Sequence, residues 1–321
     1  MTAGQFLSHC SADALRQAAQ QLKAGALVAF PTETVYGLGA DATNPDSVAR
    51  IYAVKNRPAD HPLIVHVSDL SDLAEWADDI PEFAIALARE YWPGPMTLIL
   101  KRSSLAQNFI TGGQNSVGIR IPNHPIALAL LEEFKKIGGK GVAAPSANRF
   151  GHVSPTTSDA VAEELTEFLA TGDLILDGGA SQVGVESTII DCTGEAPRIL
   201  RPGAITEAMI VSTTKSVVTQ EGEKIRVSGS LENHYAPAAQ VLLNIEPHSG
   251  DGFIALSSIA TPAGVTRLAA PKSNEEFAQV LYEALRSADH KNLARVVVHE
   301  PTGEDIAVAI RDRLKRASQG R

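Results

Sequence analysis

Residues 30–41 read FPTETVYGLGAD, and they continue an apolar run at residues 26–30. The apolar run predicts a buried strand. The residues that follow it supply hydroxyl groups, the carboxylate of Glu33 and two closely spaced glycines. Because glycine lets backbone N–H groups approach a ligand and hydroxyls orient polar groups, the segment predicts a strand end that faces a ligand.

The glycines of this segment allow two other interpretations. Gly37, Gly39 and Ala42 formally fit the dinucleotide-binding pattern G-x-G-x-x-A. However, six residues separate the predicted strand end from Gly37, whereas the pattern opens directly after a strand. A glycine-rich turn that packs a helix onto a sheet is the simpler alternative.

Outward from this segment, apolar runs of strand length alternate with stretches of helical periodicity. Before the segment, Ser11 can cap a helix that Gly25 ends. Further strands are predicted at residues 62–67, 97–101, 117–121, 142–144, 174–176, 188–191 and 199–201. Further helices are predicted at residues 46–54, 70–76, 81–91, 126–134 and 158–169. This alternation predicts a sheet covered by helices, in an α/β or α+β domain.

The chain has 321 residues, which is long for one ordinary core, so we expect two domains. Residues 1–205 form the first, and the character changes after Arg201-Pro202-Gly203. Residues 206–237 are polar and weakly periodic, which predicts an extended linker. Residues 238–321 predict a smaller domain with a parallel sheet. One of its helices opens at Ser273 with Glu276 three residues on, a capping-box pattern.

The composition is that of a folded globular protein, with 44% hydrophobic and 20% charged residues. We expect neither a membrane-spanning helix nor a signal peptide, because no apolar run approaches the required length and residues 1–11 lack a basic region and an apolar core. Cys10 and Cys192 cannot build a disulfide framework, so we expect a cytoplasmic protein. The formal net charge of -9 argues against nucleic-acid binding over the whole surface. Anionic substrates would need a few cations that converge on one pocket.

Lys55 and Arg57 stand at the end of a predicted helix. They can converge on one polyanion, Arg57 through planar contacts and Lys55 as a point charge. The alternative is a solvated helix end whose cations offset the helix dipole. The nearby His61 and His66 lack the spacing of metal ligands and indicate pocket or surface residues.

Ser116, Gly118 and Arg120 share one face of a predicted strand, because side chains alternate with a period of two. An arginine that points inward from an apolar strand is costly unless it is paired or meets an anion. A substrate carboxylate is a natural bidentate partner. An internal salt bridge is the equal alternative.

Polar residues also mark the ends of later strands: Ser146 and Asn148 follow residues 142–144, Ser187 precedes residues 188–191, and Arg201 ends residues 199–201. Several polar strand ends together predict a small-molecule cleft at the edge of the sheet. The sequence has no phosphate-binding P-loop, no serine nucleophile elbow and no zinc-ligand spacing. The basic last helix predicts a solvated face, with RNA contact as the alternative; its cations are Arg311, Arg313, Lys315 and Arg316.

In this order, the segments resemble the threonylcarbamoyl-AMP synthase family, whose catalytic unit is the YrdC-like domain. The resemblance covers the first 205 residues, at 31–41, 55–66, 92–97, 117–122, 144–148, 184–190 and 200–203. His234-Tyr235-Ala236-Pro237 and the residues behind it resemble the longer, two-domain branch. The resemblance implies a twisted mixed sheet with helices, a linker over the cleft, and a small Rossmann-like domain.

The resemblance further implies an enzyme that converts L-threonine, bicarbonate or CO₂, and ATP into threonylcarbamoyl-adenylate and pyrophosphate. Mg²⁺ would arrive with ATP, without a metal site on the protein. A separate enzyme complex would then pass the threonylcarbamoyl group to an adenosine beside the tRNA anticodon. The residues implied for L-threonine are Thr32, His66, Arg120 and Ser187. Those implied for ATP are Lys55, Arg57, His61, Ser116, Ser146, Asn148, Arg201 and Tyr235.

The residues suit this reaction, since the threonine carbamate can attack the α-phosphorus of ATP without a nucleophile from the protein. Catalysis would then come from alignment and charge stabilisation. Two alternatives stay open: a non-catalytic RNA- or tRNA-binding module of the YrdC-like fold, and an enzyme that forms a carbamoyl-adenylate from carbamoyl phosphate. Direct contact with tRNA also stays open.

Overall fold

The computed structural model describes residues 5–7, 11–229 and 235–320, and for residues 5–7 only the backbone. Cys10 and His234 lie outside the described residues. Cys192 is buried as a free thiol, and burial raises its pKa well above the ordinary value.

A mixed sheet forms the centre of the larger part of the molecule. In the described residues it has ten strands, in the order β1-β8-β2-β3-β7-β4-β6-β5-β9-β10. Neighbouring strands run parallel in some pairs, such as β4 with β6, and antiparallel in others, such as β2 with β3. This confirms the predicted mixed sheet. Its strands are β1 (Gln5–Leu7), β2 (Val28–Phe30), β3 (Gly37–Asp41), β4 (Ile64–His66), β5 (Met96–Lys101), β6 (Ser116–Arg120), β7 (Val142–Ala143), β8 (Leu174–Leu176), β9 (Thr188–Asp191) and β10 (Arg198–Arg201).

Helices cover both faces of this sheet. Along β2, Val28 and Phe30 join a core cluster with one set of helices, and Ala29 joins a second cluster on the other face. This is the alternation that a strand buried on both sides requires. The helices are α1 (Ala12–Lys23), α2 (Pro45–Lys55), α3 (Leu73–Trp76), α4 (Glu82–Tyr91), α5 (Asn108–Thr111), α6 (Pro125–Lys136) and α7 (Ser158–Leu165), with 3₁₀ turns at Leu70–Asp72 and Thr166–Phe168.

Lys55 and Arg57, which one residue separates in the sequence, lie on either side of the C-terminal end of α2. Asn56 stops the helix in the left-handed conformation, with φ of 53°. Lys55 therefore stays in the last helical turn, while Arg57 leaves on the following loop. The two side chains enter different surroundings as a result.

The glycines of residues 30–41 lie in a strand. Gly37–Asp41 forms β3, which pairs antiparallel with β2 and with β7. A Cβ atom on Gly39 would lie 2.7 Å from Val142 Cγ1 and 2.9 Å from Phe30 Cε1. Lack of space therefore requires glycine here, and the dinucleotide-binding and glycine-turn interpretations are both wrong.

A second, parallel sheet follows in the C-terminal part of the chain. Its strands are β11 (Gln240–Leu243), β12 (Gly252–Ile254), β13 (Thr266–Ala269) and β14 (Arg295–Val298), in the order β11-β14-β12-β13. The predicted helix opening at Ser273 is present, and Ser273 Oγ accepts a hydrogen bond from the Glu276 amide at 3.2 Å. The two helices here are α9 (Asn274–His290) and α10 (Ala307–Ala317).

The segment between the two sheets is partly helical, whereas the sequence predicts an extended conformation. Residues Glu207–Thr214 form α8, with Thr206 as its N-cap. Ile210 is fully buried in the core of the large sheet, and α8 packs against α4. Packing against α4 therefore stabilises a helix that the weak local periodicity does not reveal.

The C-terminal part packs tightly on the first sheet domain. Val35, Val153 and Val185 share one hydrophobic cluster with Phe277 and Leu281 of α9. The main chain of α9 comes so close to Gly184 that a Cβ there would lie 2.3 Å from a carbonyl oxygen. Across the described ranges, no helix combines the length and apolar character needed to cross a membrane.

Candidate active site

An open cleft lies where several strands of the large sheet end. Its walls come from the loop after β2, the end of β4, the end of β6, the loop after β7, the segment before β9, the end of β10, and the described linker residues. The space between these walls is about 540 Å³, including the part that is open to solvent.

The cleft brings together residues that are distant in the sequence. Eight of the residues implied for L-threonine or ATP line it: Thr32, Arg57, His66, Arg120, Ser146, Ser187, Arg201 and Tyr235. The other four do not line it: Lys55, His61, Ser116 and Asn148.

Thr32 fixes the loop after β2. Its hydroxyl donates to the Val35 carbonyl at 2.6 Å and accepts from the amides of Thr34 and Val35 at 3.2 Å. The Thr32 carbonyl accepts from Ser181 Oγ at 3.0 Å. The hydroxyl is thus held at the cleft wall in a defined position.

Arg120 makes an internal ion pair, one of the two alternatives that the sequence leaves open. Its Nη2 lies 2.7 Å from Glu33 Oε2, and each side chain is 5% exposed. The contact is close, but its angles are not those of a hydrogen bond. Arg120 Nε also donates to the Gly94 carbonyl at 3.3 Å. The guanidinium therefore borders the cleft with a carboxylate from residues 30–41 behind it.

His66 sits beside Arg120, its register partner in the β4–β6 pair. Burial and the neighbouring Arg120 lower the pKa of His66 to about 3. The imidazole is therefore neutral at physiological pH. It meets the Phe30 ring edge to face, with 5.9 Å between centroids.

Two further arginines line the cleft and share one linker residue. Arg57 Nη2 donates to Ser228 Oγ at 3.2 Å, and Arg201 Nη1 donates to the Ser228 carbonyl at 2.9 Å. Arg201 also donates to the Ser187 carbonyl, through Nε at 3.1 Å and Nη2 at 3.0 Å. Burial lowers the pKa of Arg57 to about 10, so it stays a cation at neutral pH. The part of the cleft that these two arginines line is suited to an anion.

Lys55 lies one layer behind the cleft wall. Its buried Nζ donates to the Ser146 carbonyl at 2.6 Å and to the Asn148 carbonyl. Burial, with a further contribution from Arg57, places its pKa well below the ordinary value. Lys55 therefore supports the loop after β7 from inside the protein.

The remaining three implied residues also lie outside the lining of the cleft. His61 meets the Phe150 ring edge to face, at 5.4 Å between centroids. Asn148 Nδ2 donates to the His152 carbonyl at 2.8 Å. Ser116 borders a neighbouring groove of about 280 Å³, which shares Ile64 and Ser228 with the cleft.

Glu186 is a cleft residue to which the sequence assigned no role. Ser154 Oγ donates to Glu186 Oε1 at 2.7 Å, and Tyr282 Oη donates to Oε2 at 2.8 Å. Arg313 Nε donates to the same Oε2 at 2.8 Å. The sequence shows a carboxylate within residues 184–190, but it gives no sign that this carboxylate contacts the C-terminal helix.

The prediction that the last helix presents all its cations to solvent is wrong for Arg313. Its side chain is 0% exposed, whereas the sequence predicts a solvated face. The helix α10 turns Arg313 inward, so this cation contributes nothing to a basic outer surface. The reason is the buried carboxylate of Glu186, a partner that only the tertiary fold supplies.

Tyr235 reaches the site from the described end of the linker. Its ring is buried and stacks on Tyr282, with 5.7 Å between centroids and 23° between planes. Arg313 lies over the same ring at 5.4 Å. A Cβ on Gly229 would come within 2.2 Å of the Tyr235 hydroxyl. The described parts of the linker, up to residue 229 and from residue 235, therefore meet at the Tyr235 side chain.

Two family models match consecutive parts of the chain. Residues 20–203 match the Sua5/YciO/YrdC model, described as telomere recombination. Residues 204–319 match the model described as the threonylcarbamoyl-AMP synthase C-terminal domain.

Two relatives named threonylcarbamoyl-AMP synthase are similar over nearly their full length. The Bacillus subtilis protein is 38% identical, across 96% of this chain and 93% of the relative. The Pyrococcus abyssi protein is 37% identical, across 95% of this chain and 94% of the relative.

Solved structures agree with these matches. The crystal structure of P. abyssi Sua5 complexed with L-threonine has a TM-score of 0.87 and 34% identity, and the match covers 99% of this chain and 98% of that one. The H234A/Y235A variant of the same protein has a TM-score of 0.87 and 33% identity, over 98% and 96% of the two chains. The chain belongs to the threonylcarbamoyl-AMP synthase family, in its two-domain form.

Proposed function

We propose that this protein is an L-threonylcarbamoyladenylate synthase, which joins L-threonine, bicarbonate or CO₂, and ATP and releases pyrophosphate. The convergence of Thr32, Arg57, His66, Arg120, Ser146, Ser187 and Arg201 on one cleft carries the proposal. An amino acid and a nucleotide require such a cleft, with cations at both ends.

The threonine end is assigned to Thr32, His66, Arg120 and Ser187. The Arg120 guanidinium offers a partner for the α-carboxylate, because arginine binds carboxylates through parallel hydrogen bonds. Ser187 Oγ is held 2.8 Å from Thr97 Oγ1, which fixes its position at the wall. Neutral His66 adds no competing charge beside Arg120.

The ATP end is assigned to Arg57, Ser146, Arg201 and Tyr235. The two arginines offset phosphate charge, and the linker residue Ser228 joins them. The linker thereby closes this end of the cleft over the nucleotide.

Four further residues complete the proposed ATP site from outside the cleft wall: Lys55, His61, Ser116 and Asn148. Lys55 acts through the carbonyl groups that it holds next to Ser146. Ser116 acts from the adjoining groove.

The reaction needs two steps at this cleft. The threonine amine takes up CO₂ to form a carbamate. A carbamate oxygen then attacks the α-phosphorus of ATP, and pyrophosphate leaves. No covalent intermediate with the protein is needed, so positioning and charge stabilisation by Arg57 and Arg201 supply the catalysis.

Mg²⁺ enters this proposal as the counterion of ATP. Within residues 11–229 and 235–320, no three His, Cys, Asp or Glu side chains group as metal ligands. Glu186, the carboxylate at the cleft, has both oxygens engaged by protein donors. The residues present therefore fit a metal held through the nucleotide phosphates.

We further propose that the protein works in the cytoplasm and supplies a separate complex that modifies an adenosine beside the tRNA anticodon. An adenylate is an activated acyl donor, so a transferase must consume it.

A substrate-omission assay tests the proposed reaction. Protein, ATP, Mg²⁺, bicarbonate and L-threonine are combined, and pyrophosphate is followed. Release should require both threonine and bicarbonate. Equal release without either one would refute the proposal, and release driven by carbamoyl phosphate in their place would favour the carbamoyl-adenylate alternative. Strong, salt-dependent tRNA binding without turnover would favour an RNA-binding module.

A further inference from the structure

The C-terminal helix α10 places a charged side chain directly behind the cleft. Arg313 is fully buried, and besides Glu186 it donates through Nη2 to the Pro202 carbonyl at 3.0 Å. Pro202 directly follows Arg201, and Glu186 directly precedes Ser187. One side chain from the C-terminal part thus holds the two segments that carry Arg201 and Ser187.

Glu186 requires a cation at the position of Arg313, because it places a negative charge in the cleft wall. It lines the cleft near Arg201, at the end assigned to ATP. Burial acts to raise the pKa of Glu186, but Arg313 and Arg201 outweigh burial and bring that pKa to about 2. The group is therefore an anion at neutral pH. An uncompensated anion in a low-dielectric wall repels a polyphosphate.

The contacts of Arg313 give it two further partners. It lies over the ring of Tyr235 at 5.4 Å, and Asp312 accepts a hydrogen bond from its Nη1 at 2.5 Å. Asp312 is also paired with Arg316 at 3.0 Å, so its charge is shared between two arginines. Arg313 consequently retains positive charge to set against Glu186.

We propose that Arg313 is a positioning residue for the ATP end of the cleft, where its charge neutralises Glu186. The proposal rests on the function proposed above. It gives the C-terminal part of the chain a direct role in nucleotide binding, through a residue that does not itself touch the substrate.

The test compares four variants of the full chain with wild type. Arg313→Met keeps the aliphatic length and removes the charge, and Arg313→Lys keeps the charge. The double variant Glu186→Gln with Arg313→Met removes both charges together. Arg286→Met is the matched control, because Arg286 makes another buried ion pair between the same two parts of the chain, with Glu164 at 3.0 Å.

Two readouts separate this proposal from the proposed function. The first is the Kd of a non-hydrolysable analogue, α,β-methylene ATP, which does not depend on any reaction. The second is the KM for ATP and for threonine in the pyrophosphate assay. If the protein fails to make threonylcarbamoyl-adenylate, the analogue still tests the role of Arg313.

We expect Arg313→Met to weaken binding of the ATP analogue at least about tenfold, and threonine less. Arg313→Lys should lose less affinity than Arg313→Met. The double variant should return to within about threefold of wild type, and Arg286→Met should stay within about twofold.

Two results would overturn the proposal. One is a double variant that binds the analogue at least tenfold more weakly than wild type, which remains decisive even if Arg313→Met does not fold. The other is an equal loss of ATP affinity in Arg286→Met, since that would mean that any break in the interface has the same effect. Thermal unfolding of each variant, followed by circular dichroism, identifies those that do not fold.

Discussion

At the scale of single residues, the cleft depends on buried charges that other groups hold in place. Glu33 pairs with Arg120, Arg313 pairs with Glu186, and two carbonyl groups hold Lys55. A buried charge without a partner is costly, so removing one member of a pair also damages the other.

Arg120→Ala tests the assignment of the threonine end. The variant removes the proposed carboxylate partner, and losing one member of a buried charge pair costs about 2–5 kcal/mol. We therefore expect threonine affinity to fall by at least about thirtyfold in isothermal titration calorimetry. Lys101→Ala is the control, because Lys101 is an exposed cation on the neighbouring strand β5. Unchanged threonine affinity in Arg120→Ala would contradict the assignment.

His66 predicts a pH dependence of stability. Its pKa is about 3 in the folded protein and about 6.5 when unfolded. Between these values the unfolded chain binds more protons, so folding stability falls as the pH drops from about 6.5 toward 3. The contribution is at most about 1.4 kcal/mol per pH unit.

The measurement is the free energy of unfolding in urea at pH 7, 6 and 5, for wild type and for His66→Gln. The difference between the two proteins isolates His66 from other histidines with lowered pKa, such as His61 and His124. We expect wild type to lose more stability than the variant over this range. Parallel pH profiles would show that His66 is not the group responsible.

The sequence predicted which residues line the cleft better than it predicted their partners. It predicted that Arg120 points inward and needs an anion, but Glu33 lies in a distant segment, and only the fold joins them. The same holds for Arg313, whose place in a basic run predicts solvent exposure. Pairing across the fold has no local sequence pattern, so these contacts could not be predicted.

At the scale of secondary-structure elements, the sequence predicted continuous apolar strands well. Leu174–Leu176 and Thr188–Asp191 have their predicted bounds. It missed β3, because two glycines in a short run are typical of a turn. Pairing with β2 and β7 on either side stabilises β3 despite its low strand propensity.

Gly39→Ala tests the close packing within this sheet. The added Cβ would lie 2.7 Å from Val142 Cγ1, and overpacking a core costs about 1–3 kcal/mol. We expect this loss in urea unfolding. Gly194→Ala is the control, because a Cβ at Gly194 meets nothing within 4 Å. Equal stability of the two variants would refute the steric argument.

The linker supplies a second test at this scale. Val227 packs with Ile64, Ile99 and Ile189 next to the two arginine contacts of Ser228. Val227→Asp should detach the linker and raise the KM for ATP about tenfold, because a charge cannot be buried there without a partner. Val217→Asp should have no effect, since Val217 is 81% exposed on the same linker. An unchanged KM in Val227→Asp would remove the linker from nucleotide binding.

At the scale of the whole molecule, both sheet domains contribute residues that support one cleft. A single hydrophobic cluster includes Val185 of the first sheet domain and Phe277 of α9, and Arg313 adds a charge contact across the same interface. The alternation of apolar runs predicts a helix-covered first sheet and a parallel second sheet, and the mixed strand directions of the first sheet follow from the family resemblance. The close packing of the two sheet domains cannot be predicted in this way, because it depends on contacts such as that between the main chain of α9 and Gly184.

The most direct test of the account follows the carbon atom from bicarbonate into the product. The full chain is incubated with ATP, Mg²⁺, L-threonine and ¹³C-bicarbonate, and the nucleotides are analysed by mass spectrometry. The account predicts a threonylcarbamoyl-adenylate that carries the label, and its loss in Arg120→Ala. AMP and pyrophosphate without a labelled adduct, or an adduct that excludes the label, would contradict it.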